Sequence, residues 1–285
     1  MSLPAGYAPL PDPLPSPVID SHCHLDIGDQ GRHGEAGIPV DMALAAAEAV
    51  GVDAVVQVGV DVASSRRAVE IAGDWAQVVA AVALHPNEAP RIHAEQGPVA
   101  LEAAWSEIGE LARDDHVLAI GETGMDFYRT DAPGRAAQEQ SFRRHIAIAK
   151  ELDKTLVIHD RDAHADILRI VDDEGPPRRV VMHCFSGDAG FAQEVTQRGW
   201  FCSFAGVVTF KNAADLREAL AVVPRDRILV ETDAPFLAPM PHRGRPNASY
   251  LIPWTMRRMA EVLAADLGEL CETVRANTFE AFGSF

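Results

Sequence analysis

The chain has 285 residues, 47% of them hydrophobic and 24% charged, with a formal net charge of −17. Its apolar runs all fall short of the roughly 18–20 residues a membrane-spanning helix needs. The acidic excess argues against a long basic footprint on nucleic acid, so a polyanionic substrate has to be captured locally.

Residues 1–16 are proline-rich and lack the basic and apolar stretches of a signal peptide, so they read as an extended lead-in to one domain spanning 17–285. The cytoplasm is the expected compartment and a monomer the default state. Cys23, Cys184, Cys202 and Cys271 form no C-x-x-C pair and read as small apolar fillers rather than a disulfide framework.

Eight short β-rich runs follow: 17–24, 54–60, 78–85, 117–124, 155–160, 180–185, 200–205 and 228–233. Most are continuously apolar, as strands buried on both faces are. Helical patterns lie between them at 40–51, 98–114, 136–153 and 213–223, and a long one follows at 248–268 with Pro253 near its start. Eight strand–helix units in this length predict a (β/α)8 TIM barrel. The rival is an open doubly wound sheet, but no G-x-G-x-x-G or P-loop supports it.

Six metal-ligating residues fall at the ends of these runs. His22 and His24 end the first, Glu122 the fourth, His159 the fifth, His183 the sixth and Asp233 the eighth. Barrel active sites form at the C-terminal strand ends, and this mixture of imidazole and carboxylate suits a metal site. Residues two apart share a strand face, so His22 and His24 point together while Cys23 points away. The same parity removes Cys184. Singly, each residue has a plainer role: His159 as a core histidine, Glu122 in capping or ion pairing, Asp233 as a helix N-cap or a turn residue before Pro235. Jointly, so many buried polar groups are costly without a cation. His33, His93, His116, His145, His164 and His242 lie in loops or helical patterns and read mostly as solvated. His85 either contacts substrate or shapes a turn.

The segments VIDSHCHLD, ALHP, GETGMDFYR, LVIHDRDA, VMHCFSGD, FAGVVTFKNA, ILVETDAPFLAP and RGRPN run from residue 18 to about 247, with an echo in RANTFEAFG. Together they resemble the TatD family of metal-dependent deoxyribonucleases, within the amidohydrolase-like barrels. The resemblance implies one metal held by His22, His24 and Asp233, and a second held by His159 and His183, with Glu122 bridging. It implies divalent ions (Zn²⁺, Mn²⁺ or Mg²⁺) and removal of nucleotides from DNA, often at 3′ ends. One departure is visible: where many members read Asn-Glu-Pro, this chain has Asn247-Ala248-Ser249.

The expected chemistry is phosphodiester hydrolysis with two cations activating water, and with Asp233 taking the proton. Two divalent cations outweigh the charges of Glu122 and Asp233, leaving a locally positive mouth. Arg161, Arg129, Lys211, Arg243 and Arg245 follow strand ends and are candidate phosphate contacts, or solvated surface charges. Phe127 and Tyr128 either stack on a base or pack their loop. So few contacts imply a short footprint, suited to a single-strand end, with a shallow salt dependence. The competing readings are a barrel hydrolase of small amides, esters or lactones and a metal-stabilised scaffold without catalysis.

Overall fold

The computed structural model describes residues 3–27 and 37–285, so the predicted loop residue His33 lies outside it. The strands are β1 (Val18–Cys23), β2 (Val52–Val58), β3 (Val78–Val82), β4 (Val117–Asp126), β5 (Thr155–Arg161), β6 (Val180–Met182), β7 (Phe201–Phe204) and β8 (Ile228–Val230). They form one sheet in chain order. The pairs β3–β4, β4–β5, β5–β6 and β7–β8 are parallel. Parallel neighbours need a crossover, and helices supply it. These are α1 (Val40–Glu48), α2 (Val62–Asp74), α3 (Glu88–Gln96), α4 (Pro98–Leu111), α5 (Ala132–Glu151), α6 (His164–Glu174), α7 (Ala189–Gln197), α8 (Ala214–Val222), α9 (Ile252–Leu263) and α10 (Leu267–Phe282). The architecture is the predicted (β/α)8 barrel. Among the described residues, no helix is long and apolar enough to cross a membrane.

Several boundaries differ from the sequence reading, for local reasons. Helix α2 went unpredicted, although Asp61 and Ser64 form a capping box: the Ser64 amide donates to Asp61 Oδ1 (2.7 Å) and the Asp61 amide to Ser64 Oγ (3.0 Å). Helix α5 starts at Ala132 rather than 136, because Asp131 accepts the Gly134 amide and Pro133 suits a first helical turn. The long terminal pattern divides. A 3₁₀ turn at Ser249–Leu251 leads into α9, with Pro253 in its first turn as expected, and Ala264 (φ 47°) ends it in the left-handed region before α10.

The chain separates into two compact units, one of residues 1–56, 187–280 and 285, the other of 57–186 and 281–284. In the first, β1 lies beside the segment after β8. The Asp233 amide donates to the His22 carbonyl (2.9 Å), and the His24 amide to that of Ala234 (2.8 Å). The proline-rich segment is tied to the same unit: the Leu14 amide donates to the Val50 carbonyl, and the Tyr250 hydroxyl to that of Ala8.

The second unit is built on β4 and β5. A Cβ at Gly124 (φ 135°) would overlap the His159 carbonyl oxygen, and one at Gly121 would overlap Val157. The glycines of G-E-T-G therefore let β4 approach β5 on both sides of Glu122. Helix α5 buries Gln138, Ser141, Phe142, His145, Ile146 and Ala149, a stripe at three- and four-residue steps. That stripe places three polar side chains, Gln138, Ser141 and His145, in the interior.

Candidate metal centre

Each unit carries its own group of metal-ligating side chains. In the first unit, donor atoms of His22, His24 and Asp233 all lie within 4.8 Å of one another. Nε2 of His22 is 3.8 Å and Nε2 of His24 is 3.6 Å from Asp233 Oδ1. These separations are too long for hydrogen bonds. The two histidines share a side, as strand parity predicted, while Cys23 is fully buried with its Sγ near the Val56 carbonyl.

Asp233 is not the last residue of β8, which ends at Val230. It adopts φ 54° and its carbonyl accepts the Phe236 amide, so it is a turn residue as well as a candidate ligand. Asp20, on β1, steadies that turn: its carboxylate accepts from the Thr232 amide (2.9 Å) and the Thr232 hydroxyl (2.6 Å). Burial raises the Asp20 carboxyl to about 7, against the lowering effect of those bonds. Sequence reasoning passed over Asp20, although it lies two residues from His22 on the same strand face.

In the second unit three donors converge. Glu122 Oε2 is 2.8 Å from His183 Nε2 and 3.2 Å from His159 Nδ1, and the two nitrogens are 3.4 Å apart. Glu122 lies inside β4, His159 near the end of β5, and His183 one residue past β6. Burial pushes the Glu122 carboxyl up, but His183, His85 and hydrogen bonds from His159 and His183 outweigh it and hold the group well below the usual range. His159 shows the reverse balance. Burial lowers its pKa, while Asp126 and Glu122 raise it to a net upward shift. A buried carboxylate facing two imidazole nitrogens at such distances is a donor set that fits a divalent cation.

The residues around this group were largely missed. Asp126 Oδ2 is 3.5 Å from His159 Nε2, on the ring's opposite edge. Its place in β4, four residues after Glu122, was the available signal. His145 corrects the sequence reading outright. It is fully buried rather than solvated, because α5 turns it into the core. Its Nε2 accepts the Leu84 amide (3.3 Å), so Nδ1 carries the hydrogen and donates to Thr123 Oγ1 (2.7 Å). The bridge ties the end of β3 to the residue after Glu122.

The predicted substrate contacts are spread out. His85 shapes its turn, its Nδ1 accepting the Asn87 amide (3.1 Å), and its ring centroid is 4.6 Å from that of His159. Donor atoms of His85, Glu122 and His159 also lie within 4.8 Å of one another. Burial pushes the His85 imidazole down to about 3, so it is neutral. The Arg161 guanidinium stacks over the Tyr128 ring at 3.8 Å, and Tyr128 is 66% exposed. Phe127, by contrast, is covered by Arg135 (3.9 Å). Arg129 lines a cavity of about 790 Å³ with Asn87, Pro90, Arg91 and Thr130. Arg243 lies over Phe210 (4.5 Å), Arg245 reaches the Tyr7 carbonyl (3.5 Å), and Lys211 is exposed.

The parity argument against Cys184 does not apply, because β6 ends at Met182 and Cys184 sits in a turn at φ 43°. His164 pairs with Asp160 (2.7 Å), and His116, which is exposed, with Asp114 (2.9 Å). His93 is exposed, and His242 packs against Trp254 with ring centroids 5.5 Å apart.

Residues 19–283 match the family model of TatD-related DNases. The chain is 39% identical over 274 residues to an uncharacterized metal-dependent hydrolase, TatD, of Mycobacterium tuberculosis, covering 93% of this chain and 98% of that protein. It is 37% identical over 267 residues to the uncharacterized metal-dependent hydrolase YcfH of Escherichia coli K12, covering 93% and 94%. The crystal structure of YJJV, a TatD homolog from Escherichia coli K12, superposes with a TM-score of 0.83 at 24% identity, over 94% of this chain and 98% of that one.

Proposed function

The chain belongs to the TatD-related family of metal-dependent hydrolases, and from that premise we propose that it hydrolyses phosphodiester bonds, removing nucleotides from DNA strand ends with two divalent ions. The observation that carries this reading is the pair of donor groups, His22–His24–Asp233 and Glu122–His159–His183, all but Glu122, which lies inside β4, at or near the C-terminal ends of strands. In this fold class those ends form the active site.

Divalent cations held by these residues would supply Lewis acidity, acidifying water and offsetting phosphate charge. The protein's own groups do the rest. In this reading Asp233, whose side chain is 16% exposed, takes the proton from the attacking water. As the water oxygen adds to phosphorus, the bond to the leaving sugar oxygen breaks, and the proton held by Asp233 passes to that oxygen. Neutral His85, with Nδ1 accepting the Asn87 amide, carries its hydrogen on Nε2 and can donate a hydrogen bond there without adding charge.

Arg161 on exposed Tyr128 offers a cation beside an aromatic face, which suits a phosphate next to an unpaired base. Few cations and a net charge of −17 favour a short footprint on a single-stranded 3′ end.

The test is hydrolysis of a labelled single-stranded oligonucleotide, alongside amides and lactones, after chelation and stepwise return of Zn²⁺, Mn²⁺ or Mg²⁺. The reading expects mononucleotide release that chelation stops and metal restores. Turnover confined to amides or lactones, or indifferent to chelation, would overturn it.

A further inference from the structure

Asp126 is a buried carboxylate of β4 held at both of its oxygens. It is 1% exposed. Its Oδ1 accepts the Arg129 amide (2.8 Å), and its Oδ2 accepts Asn87 Nδ2 (3.3 Å). Asn87 is fixed in turn, since its Oδ1 accepts the Thr130 hydroxyl (2.9 Å). Gln138 of α5 closes the ring: Nε2 donates to Thr130 Oγ1 (2.7 Å) and to the Asp126 carbonyl (3.2 Å), while Oε1 accepts the Asp126 amide (3.2 Å). Four residues from three segments thus hold one carboxylate in one orientation.

Its Oδ2 faces the buried Nε2 of His159 at 3.5 Å, within ion-pair reach of a nitrogen that makes no hydrogen bond among the described residues. The other ring nitrogen, Nδ1, faces Glu122 and His183. A histidine that binds metal through one nitrogen commonly gives the hydrogen of the other to a carboxylate, which sets tautomer, ring orientation and basicity. We propose that Asp126 is the positioning residue of His159: it takes the Nε2 hydrogen, leaves the Nδ1 lone pair directed at Glu122 and His183, and is itself aimed by Asn87, Thr130 and Gln138. The inference rests on the reading of His159 as a metal ligand, and its test separates the two.

The full chain, stripped of metal, is titrated calorimetrically with Co²⁺, and the visible Co²⁺ spectrum is recorded. His159→Ala tests the ligand reading and should remove one Co²⁺ equivalent. Asp126→Asn keeps the shape but removes the charge. It should weaken that same equivalent by about 10–100-fold and shift its spectrum, with kcat on an oligonucleotide falling more than KM rises. Asn87→Ala leaves the Arg129 amide bond in place and should give a smaller, several-fold weakening. Asp126→Glu should recover part of the loss.

Wild-type Co²⁺ affinity and spectrum in Asp126→Asn, beside a lost equivalent in His159→Ala, overturn the positioning role and leave the ligand reading intact. So does a lowered melting temperature with unchanged affinity, the result expected of a purely structural Asp126. If Asp126→Asn does not fold, unchanged affinity in Asn87→Ala overturns the role instead. Unchanged Co²⁺ binding in His159→Ala overturns ligand reading and inference together.

Discussion

The donor groups of the two units are held by different means. His22, His24 and Asp233 are carried mainly by backbone: two strand positions of equal parity, and a turn clasped to β1 by the Asp233 and His24 amides and by Asp20. Glu122, His159 and His183 depend on side chains from elsewhere, namely Asp126, Asn87, and Gln138 and His145 of α5. The first group should therefore respond mostly to changes in its own members, the second also to substitutions well outside it.

The largest expected effect lies in the first group. Asp233→Asn should lower kcat about 10²–10⁴-fold, the range for a lost proton acceptor, with little change in thermal melting. Steady-state kinetics on a single-stranded oligonucleotide measure it. A variant with wild-type kcat removes Asp233 from the chemistry and erases the contrast between the groups.

The next effect is in stability, and belongs to the second group. His145→Ala strands the buried Leu84 amide and Thr123 hydroxyl and opens a cavity, which should cost roughly 2–4 kcal/mol. Denaturant unfolding reads it directly. His145 also makes stability pH-dependent. Burial holds its folded pKa at about 3, against 6.5 for the ordinary group. Between those values the unfolded chain binds a proton that the folded chain refuses, so stability falls as pH drops from about 6.5 toward 3. In His145→Gln that part of the fall should vanish. An acid-side slope identical to wild type would sink the assignment.

Smaller changes are expected at the loops. Arg161→Ala should raise KM for an oligonucleotide about tenfold, as loss of one charge-assisted phosphate contact does, and should flatten the salt dependence of binding by about one unit of slope. Lys211→Ala and Arg243→Ala should change KM by less, about twofold, since Lys211 is exposed and Arg243 lies over Phe210. A Lys211 or Arg243 effect larger than that of Arg161 would relocate the phosphate path.

Much of the molecule was legible in one dimension. The barrel was readable because parallel strands buried on both faces are nearly all apolar, as in Val78–Val82 and Val180–Met182. The candidate ligands were readable because imidazoles and carboxylates stand out at the ends of such runs, and because H-x-H carries its own parity. The G-E-T-G glycines were visible too, but their reason was not, since it is the approach of β5 to β4.

What tertiary structure alone decided is which polar residues surround those candidate ligands. His145 looked like a solvated helical histidine because it stands beside Arg143 and Arg144 in a charged stretch. It is buried because the face of α5 that packs inward includes it. Asp126 and Asn87, 39 positions apart in sequence, meet only when the turn after β3 lies beside the end of β4. A ligand is recognisable by its own chemistry, whereas a side chain that orients a ligand is defined by its neighbours, and folding alone supplies those.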